Sequence, residues 1–234
     1  MHEANVVVSP LWVSIEGING VGKTRLAVAL SGRLGAEGRL VSELTDGGGD
    51  GLRAAVVAAL STGRSFLRTG HPLTETMALL ALKVREYELV AALPDPPAIV
   101  IEDRGVDTVA VYQAAISTCR FPTGGDTAAV DRMMRAAADR VYATAAAWRP
   151  LPDLTVLLVD DPAACERRFA DREGRAMADD EQQIVARARR LYRWRAGIEP
   201  ERIRVVDRTA RDSDPAEVVT IVEDLVADAV RSRR

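Results

Sequence analysis

The residues most able to do chemistry lie near the start of the chain, in Gly17-Ile18-Asn19-Gly20-Val21-Gly22-Lys23-Thr24. This is a complete G-x-x-x-x-G-K-[ST] pattern. Its glycines let backbone N–H groups converge on phosphate oxygens, where side chains would block the approach. Lys23 brings a point charge for β and γ phosphates, and Thr24 offers a hydroxyl to Mg²⁺. Gly17, Asn19, Gly20, Val21, Gly22, Lys23 and Thr24 are therefore expected to hold ATP. A later N-K-x-D for guanine is absent from the chain, which points away from a GTPase.

A second group follows a later apolar run, where Ile101-Glu102-Asp103-Arg104 ends a short stretch of Ala98-Ile99-Val100. A carboxylate at the end of a central parallel strand stands where Mg²⁺ and its waters must be held. Asp103 fits that role together with Thr24. Arg104 can fork onto an acceptor phosphate. A third group, Arg167, Arg168, Arg172 and Arg175, would serve phosphoryl transfer from a mobile segment by neutralising charge and excluding water. Any one of these arginines could equally be a solvated helix face.

The elements that must position these groups follow from pattern. Residues 11–15, 39–44, 98–102, 154–159 and 203–207 read as short apolar strands. Helices are expected at 23–34, stopping at Gly35, then near 51–62, at 74–92, from Arg104 to about 117, and at 127–148, 162–171, 180–196 and 214–230. Loops are expected over Gly47-Gly48-Gly49, 118–126 and 172–179. Strands alternating with helices imply a three-layer α/β fold of the P-loop NTPase type, a parallel sheet covered on both faces. One domain spanning residues 1–234 is expected, because no linker or repeat divides the chain.

The bulk numbers set limits. The 234 residues carry a net charge of −3, which argues against broad nucleic-acid binding. The two cysteines, Cys119 and Cys165, lack metal-ligand spacing and suit a reducing compartment. No stretch reaches transmembrane length, and the first residues lack the features of a signal peptide, so a cytoplasmic protein without membrane partners is expected. Only two lysines occur, Lys23 and Lys83. His2 and His71 have no evident ligand set, and Trp148 and Trp194 read as packing.

Asp103-Arg104-Gly105-Val106-Asp107-Thr108 with Val109-Ala110-Val111-Tyr112-Gln113 resembles the D-R-Y-V-D-S-S-x-A-Y-Q segment of the thymidylate kinase family. Glu16-Gly17, Thr74-Glu75 with Ala81 and Lys83, Pro152-Asp153-Leu154-Thr155, and Pro162 with Arg168 and Arg172 extend the resemblance over roughly residues 10–230. It implies a nucleoside-monophosphate-kinase fold with five parallel strands, a short lid at about 172–180 and a homodimer. It also implies ATP- and Mg²⁺-dependent phosphorylation of dTMP or a related nucleotide. By the same resemblance Lys23, Asp103, Arg104, Arg172 and Arg175 are catalytic. Arg168 packs near adenine, and Glu16, Leu79, Lys83, Arg104, Thr108, Val109, Tyr112 and Gln113 surround the acceptor.

The family pattern breaks on the acceptor side. Leu79 replaces a stacking aromatic, and Lys83, here either a base-facing cation or a solvated helix lysine, replaces an arginine. Asn19 replaces an acid, Gly105 an aromatic, Val109 a polar residue, and Leu44-Thr45-Asp46-Gly47-Gly48-Gly49 stands in for R-E-P-G-G-T. Two alternatives stay open: a P-loop kinase for another acceptor (modified nucleotide, nucleoside or small metabolite), and a nucleotide-binding regulatory protein without turnover.

Overall fold

A computed structural model of the protein describes residues 9–46, 51–61, 66–119, 127–209 and 215–233. The expected loop at Gly47-Gly48-Gly49, most of the one at 118–126, and His2 lie outside the described residues. Five strands form one parallel sheet: β1 (Leu11–Glu16), β2 (Gly38–Val41), β3 (Ile99–Asp103), β4 (Leu154–Val159) and β5 (Ile203–Asp207), in the order β2-β3-β1-β4-β5. The central strands β1 and β3 are buried along their whole length. This is why they read as unbroken apolar runs rather than as alternations. Their register pairs Ile15 with Asp103 and Ile15 with Val156, so β1 and β3 end within a residue of each other while β4 runs two residues further.

Eight helices accompany the sheet among the described residues: α1 (Lys23–Leu34), α2 (Gly51–Leu60), α3 (Pro72–Ala91), α4 (Val106–Ser117), α5 (Thr127–Ala146), α6 (Pro162–Glu173), α7 (Asp179–Ile198) and α8 (Pro215–Ser232). One apolar core joins α3, α4, α5 and α7 to one face of the sheet through Leu80, Val111, Met134, Tyr142, Ile184 and Leu191. The other joins α1, α6 and α8 through Leu26, Leu30, Phe169, Val219 and Val222. Both faces are thus shielded, as an all-parallel sheet requires. No helix among the described residues is long and apolar enough to cross a membrane.

Expected and observed elements differ mainly at their ends, and local chemistry explains the differences. Helix α3 begins at Pro72, a residue whose fixed φ and missing N–H suit the first helical turn. Helix α6 runs through Glu173 and stops at Gly174, which takes φ 68°, a left-handed cap that glycine adopts at least cost. The connection expected at 172–179 therefore shrinks to residues 174–178. Strand β2 ends at Val41 rather than residue 44. Trp194 packs against the core, whereas Trp148 is 71% exposed, beyond the end of α5.

Candidate active site

The chain leaves β1 into a tight loop whose shape depends on missing side chains. Gly20 takes φ 79°, and a Cβ there would stand 2.1 Å from the Cys165 carbonyl oxygen. Lys23 opens α1 with its side chain folded back, donating to the Ile18 carbonyl at 2.8 Å. Burial pushes its pKa down to about 7, with the neighbouring Arg104 guanidinium acting in the same direction. Two arginines brace the loop from outside. Arg168 donates to the Gly20 carbonyl at 2.6 Å and to Asp160 at 2.6 Å. Arg208 donates to the Val21 carbonyl at 2.6 Å.

Asp103 ends β3 beside this loop. Both its carboxylate oxygens are buried without a hydrogen-bond partner of normal geometry. Burial raises its pKa, opposed in part by the adjacent Thr24 hydroxyl, Arg104 and Lys23. A buried carboxylate lacking partners is costly unless something neutralises it. With the exposed Thr24 hydroxyl alongside, these are hard oxygen donors of the kind that magnesium takes.

Arg104 follows at φ 64°, a strained value for a non-glycine residue. Its Nε sits 2.8 Å from Glu43 and its Nη2 donates to Asn19 Oδ1 at 3.2 Å. Tyr112 also donates to Asn19 Oδ1, at 3.3 Å, and burial pushes its phenol up to about 12. Asn19 thus ties the phosphate loop to Arg104 and to α4.

These groups border a cleft of about 560 Å³. Asn19, Thr24, Leu79, Lys83, Arg104, Thr108, Val109, Tyr112, Gln113 and Arg172 line it. The lining includes nearly every residue expected around the acceptor. Glu16 is the exception. It is fully buried and accepts from Ser14, the Gly105 N–H (2.7 Å), Thr108 and Tyr192 (2.8 Å), which ties α4 and α7 to β1. Burial and the nearby Asp107 charge raise its pKa. Thr108 faces the cleft, yet its hydroxyl is held by Glu16 and Tyr192.

Lys83 is not a solvated helix lysine. It is 1% exposed, 2.8 Å from Glu86 and 3.4 Å from Glu102, and these two carboxylates outweigh burial and raise its pKa. Glu102 is also gripped by Arg149, which packs over the Trp12 ring at 4.6 Å. Of the two arginines expected in a lid, Arg172 lines the cleft, whereas Arg175 pairs with Glu181 through two bonds of 2.7 and 2.8 Å. Glu181 also accepts from the Ala178 N–H at the start of α7, so Arg175 belongs to that helix start.

Sequence reasoning missed Glu43, Phe66, Arg149 and Arg208. Glu43 and Arg208 follow the ends of β2 and β5, and the rule that ligands bind beyond the carboxyl ends of parallel strands is the signal that reaches them. Phe66 carries no comparable signal. It enters the cleft from a loop where Phe66 and Leu67 both take positive φ, and its ring centroid lies 5.5 Å from that of Tyr112.

The profile of the family described as thymidylate kinase matches residues 15–214. A thymidylate kinase of Clavibacter michiganensis subsp. michiganensis is 30% identical over 223 residues, covering 93% of this chain and 96% of that protein. One from Thiobacillus denitrificans is 30% identical over 219 residues, covering 92% and 97%. Among solved structures, thymidylate kinase from Candida albicans superposes with a TM-score of 0.64 at 19% identity, covering 94% of this chain and 92% of that one. The enzyme from Ehrlichia chaffeensis gives 0.57 at 20% identity, covering 94% and 100%. At such identities the two structures speak for the fold alone.

Proposed function

The chain belongs to the thymidylate kinase family, and from that premise we propose that it transfers the γ-phosphoryl group of ATP to dTMP with the help of Mg²⁺. The observation that carries this reading is Asp103, a buried carboxylate with no hydrogen-bond partner of normal geometry, beside Thr24 at the mouth of a phosphate-binding loop. In this reading Gly17, Asn19, Gly20, Val21 and Gly22 cradle the ATP phosphates, Arg168 lies toward the adenine, and Lys23 neutralises the β and γ oxygens. Thr24 and Asp103 would hold the magnesium ion, which supplies charge neutralisation across those same oxygens.

On the acceptor side Arg104 receives the dTMP phosphate, while Leu79, Lys83, Val109, Tyr112 and Gln113 surround the base and sugar. Thr108 and Glu16 keep α4 in place beneath them. Arg172, and Arg175 if its pairing with Glu181 opens, would meet the equatorial oxygens as charge spreads over them. A dianionic acceptor needs no general base, so positioning and charge neutralisation suffice. A homodimer in the cytoplasm is part of the same proposal, supported by the family and by the exposed apolar residues Leu52 on α2 and Leu73 and Met77 on α3.

ADP release measured with a panel of nucleoside monophosphates tests the reading. Turnover with dTMP above the ATP-hydrolysis background is expected. Lys23→Ala should lower it by on the order of 10²–10³ with the thermal transition retained. Absence of dTMP turnover by the wild-type protein would overturn the proposal.

A further inference from the structure

Among the described residues, each cation that lines the cleft is already paired with a carboxylate. The cations lining it among the described residues are Lys83, Arg104 and Arg172. Lys83 lies 2.8 Å from Glu86, Arg104 lies 2.8 Å from Glu43, and Arg172 lies 2.8 Å from Glu173. Glu43 and Glu173 are themselves part of the lining, and Asp46 adds a further carboxylate to it. Such a wall receives a neutral acceptor without charge displacement. An acceptor phosphate must first displace Glu43 from Arg104.

Glu43 is also a prepared group rather than a loop side chain caught in passing. It follows β2, beyond the carboxyl end of the sheet, and stands at the junction of the two halves of the site. Through Arg104 it connects to Asn19 of the phosphate loop. Its backbone is clamped by Arg53 of α2, which donates to the carbonyls of Ser42, Glu43, Leu44 and Asp46. Arg104 holds Oε1, which leaves the second carboxylate oxygen to accept a proton. Although burial opposes it, the charges of Arg104 and Lys23 keep the carboxyl below its ordinary pKa, so it is ionised at neutral pH.

We infer that Glu43 is a general base for a hydroxyl acceptor, and that the same cleft phosphorylates the 5′-hydroxyl of a nucleoside as well as a nucleoside monophosphate. The hydroxyl oxygen forms a bond to the γ-phosphorus of ATP as the bond from that phosphorus to the β–γ bridging oxygen breaks. ADP leaves with that electron pair, and the hydroxyl proton passes to Glu43 and then to solvent. A weak base suffices, because in a loose phosphoryl-transfer transition state the nucleophile is deprotonated late. Phe66, tilted against Tyr112 in the lining of the cleft, gives a nucleobase an aromatic face that Leu79 lacks. The inference shares the ATP half of the proposed function and rests on it.

The test supplies the wild-type protein and Glu43→Gln with ATP and Mg²⁺, and with thymidine or dTMP, separating products by chromatography. Wild-type protein is expected to convert thymidine to dTMP. Glu43→Gln should lose that activity by about 10²-fold or more, while its KM for dTMP falls because Arg104 is released. Conversion of dTMP without thymidine by the wild-type protein overturns the inference and leaves the proposed function standing. Conversion of thymidine without dTMP overturns the dTMP acceptor of the proposed function and supports the nucleoside reaction of the inference, and turnover of neither overturns both. Loss of both activities to the same extent in Glu43→Gln assigns Glu43 a structural role and overturns the inference too. The wild-type comparison requires no substitution, so it stands even if the variant does not fold.

Discussion

Lys23 shows how one side chain can be poised by its surroundings. It is 3% exposed, faces Arg104, and has a pKa lowered to about 7, with Glu43, Asp103 and Glu16 only partly restoring its charge. Bringing anionic phosphates beside it favours the ammonium form and raises that pKa again. At pH 8 the ligand-free lysine is largely neutral, so ATP binding must take up a proton. ATP affinity is therefore expected to weaken as pH rises from 7 to 9. Calorimetric titrations in buffers of different ionisation enthalpy should report net proton uptake at pH 8, and should lose it in Lys23→Met. An unchanged proton balance would show that Lys23 is fully charged before the nucleotide arrives.

At the scale of elements, the groups of the candidate site sit at successive strand ends: the phosphate loop after β1, Glu43 after β2, Asp103 and Arg104 at β3, Asp160 after β4 and Arg208 after β5. What holds α4 against these ends is a pair of buried carboxylates. Glu16 binds its first turn from β1, while Asp107 reaches Tyr142 of α5 (2.7 Å), Thr155 of β4 (2.9 Å) and Arg202 before β5 (2.8 Å). Burial alone would raise the Asp107 pKa, yet hydrogen bonds and charge from Arg202, with Tyr142 and Thr155, bring it below 3.8. A depressed carboxylate contributes stability that is present above the unfolded value and lost as pH falls through the folded one. Asp107→Asn should cost about 3 kcal/mol at neutral pH by stranding Arg202. It should also flatten the fall in stability expected of the wild type as pH drops below 3.8. Denaturant melts from pH 2 to 7 measure both, and a parallel fall in the two proteins would exclude Asp107 as the source.

These elements also show what was legible beforehand. The five strands and the helices could be located to within a few residues, because burial on both faces demands apolar runs and because Gly35 marks a helix end chemically. The phosphate loop was equally plain, since its spacing is a geometric requirement. Lys83 was not. Its neighbours Glu86 and Glu102 are three and nineteen positions away, and only the packing of α3 on β3 makes them one ion cluster. Arg175 was placed among the catalytic arginines by motif alone, and a partner six residues on, Glu181, takes its guanidinium.

For the molecule as a whole, two cores sandwich the sheet, and the outer faces of α2 and α3 keep large apolar side chains in water: Leu52, Leu73, Met77 and Leu89. Leu73 and Met77 are four residues apart and so share a helix face. If the proposed homodimer uses this surface, light scattering should report twice the chain mass of 25.3 kDa. Met77→Glu should then shift it to the monomer with little change in secondary structure. A monomeric wild type would remove the dimer from the proposal.

The sequence by itself determined the fold class and the phosphate-binding loop. Hydrophobic period and local backbone requirements are written in consecutive residues. The charge pairing within the cleft was decided only by tertiary structure. Glu43 meets Arg104 across 61 positions, Arg149 meets Glu102 across 47, and Phe66 meets Tyr112 across 46. Charge pairing of this kind depends on which strand ends lie side by side and on how much water is left between them. No local pattern encodes either, and both are settled when the sheet closes in the order β2-β3-β1-β4-β5.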